Sequence, residues 1–252
     1  MQKGERMRNR IKFVTLVCVF VLISMNAGHA GISLGGTSGL VNIPTADVLE
    51  DRQITVGLGI VNRHSAWLQQ DVCDNVPFHI VIGYLPRLEF SAGVTFVPGR
   101  ASYDGTNTYK DGIISLQYLL FRETRLTPDI AIGVRDVYSY ILLNTSYCVM
   151  SKTIVRHPSS SLRFHIGYGS DMIDSHIQVA DCDKDKPVGH TIVGTFGGLE
   201  LNYHNFITFM LEYDTKRINS GVRVRINSSL YFDIDMLNME DLSGSMNVSF
   251  RL

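Results

Sequence analysis

Ile54-Thr55-Val56-Gly57-Leu58-Gly59-Ile60 sets large apolar side chains at every second position, with small ones between. Leu162-Arg163-Phe164-His165-Ile166-Gly167-Tyr168 repeats the pattern later in the chain. Successive side chains on a strand point to opposite faces, so each run carries one apolar face and one polar or bare face. The same rhythm recurs through the chain to Leu252. It predicts twelve strands, at about 53–61, 77–85, 87–97, 111–121, 127–135, 145–155, 161–169, 191–203, 206–214, 218–226, 229–237 and 244–252. Helical periodicity is almost absent. The fold class is therefore all-β, and an antiparallel up-and-down barrel is the expected architecture.

Alternation does not say whether the apolar face looks into a core or out to lipid. In a soluble sandwich or lipocalin-like barrel it turns inward. Here the opposite face is rich in glycine, at Gly57, Gly59, Gly83, Gly93, Gly133, Gly167, Gly198 and Gly221. A water-exposed surface would carry Lys, Glu and Thr there, whereas a crowded lumen favours small residues. The connections alternate long and short: 62–76, 98–110 and 170–190 are long, while Pro86, Glu123-Thr124-Arg125, Pro158 and His204-Asn205 mark short turns. Outer-membrane barrels show this alternation, with short turns on the periplasmic side. Thr215-Lys216-Arg217 is short on the side that should be long. Tyr84, Tyr118, Tyr147, Tyr168, Tyr203 and Tyr213 offer candidates for an interfacial girdle.

The first thirty residues read as a secretory signal. Lys3, Arg6, Arg8, Arg10 and Lys12 precede the apolar run 13–23, and Gly28-His29-Ala30 supplies small residues at the cleavage positions. The expected organisation is a signal peptide over 1–30, a periplasmic or plug-like segment over 31–52, and the barrel over 53–252. Removing 1–30 takes away those five bases and Glu5, leaving 18 basic and 23 acidic side chains, a net of −5. That balance argues against a nucleic-acid partner, which would want a basic stripe. Outside the leader no apolar run is long enough for a membrane helix, so any membrane crossing is by strands. Cys73 and Cys182 fall in long polar loops, where an oxidising compartment would let them form a disulfide. Cys148 falls in a strand and reads as a small packed apolar residue.

Gly36-Thr37-Ser38-Gly39-Leu40-Val41-Asn42-Ile43-Pro44-Thr45-Ala46-Asp47-Val48-Leu49 stands before the first strand. Phe196-Gly197-Gly198-Leu199-Glu200, Leu211-Glu212-Tyr213-Asp214 and Asn219-Ser220-Gly221 follow near the other end. In order and spacing these resemble the YjbH family of bacterial outer-membrane proteins, associated with exopolysaccharide and capsule production, in a short single-barrel form. The resemblance implies a barrel in the outer membrane of a Gram-negative bacterium, with outer-membrane lipids around it. It also implies a non-enzymatic role in polysaccharide production or export, with the polysaccharide and other export proteins as partners.

Extending the alternation places Glu200, Glu212, Asp214, Arg223, Arg225, Asp233 and Asp235 on the inward face of four neighbouring strands. Such a lumen network either fills a narrow barrel by cross-strand pairing or forms a charged constriction for a polar polymer. A general porin-like diffusion channel is the alternative function. A membrane-embedded lipid hydrolase or acyltransferase is a third, resting on inward His79 and His165 and abundant serines, but no spacing marks a nucleophile and its base. No catalytic residue, cofactor or metal site is expected. Asp181-Cys182-Asp183-Lys184-Asp185-Lys186 lacks the glycine and distal glutamate of a calcium loop.

Overall fold

A computed structural model describes residues 30–67, 73–99, 108–137, 144–171 and 192–252. Among them, alternation resolves into twelve strands: β1 Gln53–Ile60, β2 Val76–Leu85, β3 Leu88–Pro98, β4 Thr108–Phe121, β5 Asp129–Arg135, β6 Thr145–His157, β7 Ser160–Asp171, β8 Gly194–Tyr203, β9 Ile207–Tyr213, β10 Ile218–Arg225, β11 Leu230–Leu237 and β12 Asp241–Arg251. Every expected strand is present, with ends displaced by three residues at most. Each strand pairs antiparallel with its sequence neighbours, and β1 closes on β12 through Ile54 opposite Phe250 and Leu58 opposite Met246. The barrel has no open edge, so every ladder finds a partner.

The parity of each strand decides which way it faces. Leu58, Phe164, Ile166, Leu201, Phe209 and Ile234 are exposed on the outside. Thr55, Ser91, Ser115, Thr208, Asn247 and Ser249 are buried on the inside. An exposed apolar belt around a polar interior is the signature of a transmembrane barrel, in which the belt meets acyl chains. Bulges at Gly83/Leu85, Leu119/Phe121 and Thr153/Val155 all lie next to short turns, where they bend the strand ends. Both β1 and β12 therefore have one end at the turn side, where Leu252 N–H bonds Arg52 C=O at 2.9 Å.

Two expectations need correction, Tyr147 as a girdle residue and Cys148 as a packed one. Tyr147 does not join the girdle. It points inward, is buried, and donates its hydroxyl to Gln117 Oε1 at 2.7 Å. Cys148, one residue on, is exposed on the outer face opposite Tyr168, because adjacent residues of one strand cannot share a face. Residues 1–29 of the expected signal peptide, Cys182 and the 181–186 run fall outside the described residues.

The outer face yields a direct test. Ile166→Arg, at the middle of β7, is expected to cost about 2–4 kcal/mol in vesicle unfolding titrations, against about 0–1 kcal/mol for Leu85→Arg beside the β2–β3 turn. Equal costs at the two positions would mean that the belt does not cross hydrocarbon.

Candidate functional site

The lumen is not a water-filled pore. Residues 30–46 and Leu49 are all buried, and Asp47 and Val48 half-buried, inside the barrel. This stretch forms no regular element. Two isolated bridges, Ile32 with Ser38 and Gly39 with Pro44, fold it back on itself. Glu50 lies at the turn end, where a Cβ on Gly83 would meet its C=O at 1.9 Å. Leu34 lies toward the loop end, beside Gly59.

An irregular segment leaves most of its backbone groups without partners of its own, and each must be bonded if it is buried. Barrel side chains supply the partners. Glu212 accepts three successive backbone N–H groups, from Val41 at 3.0 Å, Asn42 at 2.9 Å and Ile43 at 3.2 Å. Glu89 accepts N–H groups from Ser38 and Leu49, both at 2.9 Å, and the Ser38 hydroxyl. Tyr231 Oη accepts Ile32 N–H at 3.0 Å, and Ser151 Oγ accepts Ala46 N–H at 2.9 Å. Carbonyls are met by cations and an amide. Arg223 Nη2 donates to Ile32, Gly39 and Leu40 at 3.3–3.4 Å. Arg135 donates to Asn42 O at 3.3 Å, and Gln117 Nε2 donates to Thr45 O at 2.8 Å and Asp47 O at 2.6 Å. Hydrogen bonds to ionised groups are the stronger kind, about 1.5–3 kcal/mol each.

The segment's side chains finish the fit. Leu34, Leu40, Val41, Ile43 and Ala46 pack against inward apolar residues of the wall, including Phe196, Met210 and Val149. From the loop end Trp67 joins this cluster, its ring 6.0 Å from the Arg135 guanidinium. Two glycines permit the close contacts. A Cβ on Gly31 would fall 1.4 Å from Arg223 Nη1, and one on Gly198 would fall 2.5 Å from Leu40 Cδ1.

The seven lumen residues expected from parity divide by role. Arg223 and Asp233 stand directly opposite across β10 and β11 and form a buried pair, Nε to Oδ1 at 2.7 Å. Glu212, with no ion pair among the described residues, bonds the segment and accepts Asn219 Nδ2 at 2.8 Å. Asp214 takes Nδ2 of Asn42 and of Asn219, both at 3.1 Å. Arg225 stacks 5.2 Å from the Tyr231 ring. Glu200 is half-buried, 3.7 Å from His165 Nε2. Asp235 faces Gly221, and its Oδ1 has no hydrogen-bond partner among the described residues. Asp47 of the segment ion-pairs with Arg163 at 2.6 Å, and Arg163 also bonds Asp129. Cys73 is half-buried near Trp67. His79 Nε2 lies 3.2 Å from Asn247 Oδ1, and His165 Nδ1 lies 2.8 Å from Ser151 Oγ. That serine is the one that holds Ala46.

Glu89, Gln117, Arg135, Ser151 and Tyr231 were not singled out by the sequence. Parity alone puts each on the inward face, and an isolated acid such as Glu89 between Leu88 and Phe90 was the available signal. What parity cannot convey is that their partner is an unpaired stretch before the first strand.

Each Glu212 oxygen accepts two donors, so replacing Glu212 by Gln turns an NH2 toward two of them. The expected result is a loss of about 1–3 kcal/mol in the urea midpoint analysis and faster protease cleavage between residues 31 and 49. Cleavage at the wild-type rate would show that the carboxylate does not hold the segment.

No curated protein sequence is significantly similar to the chain. Among solved structures, a KdgM porin aligns with 79% of this chain and 99% of its own, at 9% identity and a TM-score of 0.45. The YjbH family model, described as exopolysaccharide biosynthesis protein YbjH, matches residues 33–229, a stretch that takes in most of the lumen segment, Glu89 and Glu212. The chain belongs to this exopolysaccharide-associated family.

Proposed function

We propose that this protein is an outer-membrane barrel that serves exopolysaccharide production or export without enzymatic chemistry, and that residues 31–52 act as a plug that holds it closed. In this reading residues 1–30 direct export and are cleaved, the belt meets outer-membrane lipid, and the polymer and other export proteins are the working partners. Family membership supports the link to polysaccharide. The observation that carries the closed state is the pair of carboxylates, Glu89 and Glu212, bonded to the segment's own N–H groups. A barrel serving steady diffusion of small solutes would gain nothing from filling its lumen, so the general-porin alternative is disfavoured.

A plug held this way can be expelled without altering the wall. Leu40→Asp with Ile43→Asp puts two uncompensated charges beside Glu212, a cost of several kcal/mol for a buried, unpaired ion. In planar bilayers the intact chain is expected to give little or no steady current, and the double variant to give open steps. Heat-modifiable migration on gels reports that both barrels are folded. Large steady conductance by the intact chain would contradict the plug. Normal polysaccharide secretion by a strain lacking the gene would contradict the export role.

A further inference from the structure

The charge of the inner wall is unbalanced, and the segment conceals the imbalance. Counted along the described strands, inward carboxylates come one each from β3, β4, β5, β7, β8, β9 and β12 and two from β11. Inward guanidinium groups come one each from β5, β6, β7 and β12 and two from β10, and no lysine points inward from these strands. Acids therefore outnumber bases. The segment does not redress this, because residues 30–50 contain Asp47 and Glu50 and no base.

The way the excess acids are satisfied is informative. Glu89 and Glu212 are both buried, and neither is paired with a cation in the hydrogen bonds described. Both are satisfied mainly by neutral N–H and O–H donors of the segment. Asp235 adds an independent sign of an unfilled polar site. Its side chain is 2% exposed, its Oδ1 lacks a partner, and that oxygen points into the space between Gly221 and the segment, where a Cβ on Gly221 would meet it at 2.4 Å and Val41 Cγ2 at 2.9 Å. On the opposing side, Arg223 keeps Asp233 and Arg163 keeps Asp129 when the segment leaves. All three arginines lose segment partners, Arg223 the carbonyls of Ile32, Gly39 and Leu40, Arg163 the Asp47 carboxylate and Arg135 the Asn42 carbonyl, but the first two retain a carboxylate of the wall. With Glu89, Glu212 and Asp235 among the excess of inward acids, the emptied wall is negative.

Resting on the reading that the segment vacates the lumen, we infer that the opened barrel selects cations and accepts a neutral or amino-sugar glycan, and rejects an anionic polysaccharide. Carboxylates that accept the segment's N–H donors are equally suited to accept sugar hydroxyl or ammonium donors. Carboxylate rings give cation preference in pores, and a polymer bearing uronate, sulfate or phosphate would meet like charge in a narrow, poorly screened passage.

The experiment uses the full chain carrying Leu40→Asp and Ile43→Asp in planar bilayers under a KCl gradient. The expected reversal potential reports potassium permeability several-fold above chloride. Adding Glu89→Gln and Glu212→Gln is expected to move the ratio toward one. Glucosamine and maltose oligomers are expected to block the current, and galacturonate oligomers of the same length are not. Chloride selectivity, or block by galacturonate oligomers in preference to the others, overturns the inference while leaving the plug intact. A folded double variant that stays silent defeats the plug itself, and this inference with it.

Discussion

A polypeptide without regular structure cannot be buried unless something else bonds its backbone, and that constraint organises this molecule. The barrel's strands are satisfied by their neighbours around a closed circle. Residues 30–49 make six backbone bonds among themselves, such as Leu34 N–H to Val41 O at 2.9 Å and Thr45 N–H to Ser38 O at 3.1 Å. The N–H groups of Ile32, Ser38, Val41, Asn42, Ile43, Ala46 and Leu49 depend on the wall. Two carboxylates gather the donors and the guanidiniums of Arg223 and Arg135 gather the acceptors. Loss of any one leaves a buried group unpaired, which costs more than the bond contributes.

The same contacts explain the composition of the inner face. A lumen containing only water would tolerate long polar side chains, and a small barrel without a guest would fill itself with its own. Here glycines on the wall make room for the guest, and inward Phe196, Met210 and Tyr147 give its leucines and isoleucines something to pack against. Burying Ile32, Leu40 and Ile43 contributes on the order of 1.5–3 kcal/mol each. The interior is thus half apolar core and half ionic clamp, and the two halves favour the same closed arrangement.

The strands were legible because a period of two leaves little freedom. Thr55, Arg223, Asp233 and Glu212 all face the side that counting from Ile54 or Val222 requires. Residue type without parity, and stretches without periodicity, mislead. Tyr147 was grouped with girdle tyrosines by type, although its neighbour Cys148 is the outward residue of that pair. Cross-strand charge pairing, one of the two expectations for these seven, is met by Arg223 with Asp233. Glu212 and Asp214 bond Asn42 instead, more than one hundred and sixty positions away. No local pattern announces a partner so distant in a stretch with no periodicity. The glycines on the inner face were the one sequence feature that pointed to a crowded lumen.

The central claim, that the barrel's carboxylates hold the segment's backbone, is tested most directly by site-resolved amide hydrogen exchange on the refolded protein in nanodiscs. The amides of Val41, Asn42, Ile43 and Leu49 should exchange as slowly as those at the middle of β9 and β10. Exchange at the rate of an unstructured chain, with the strands still protected, would contradict it.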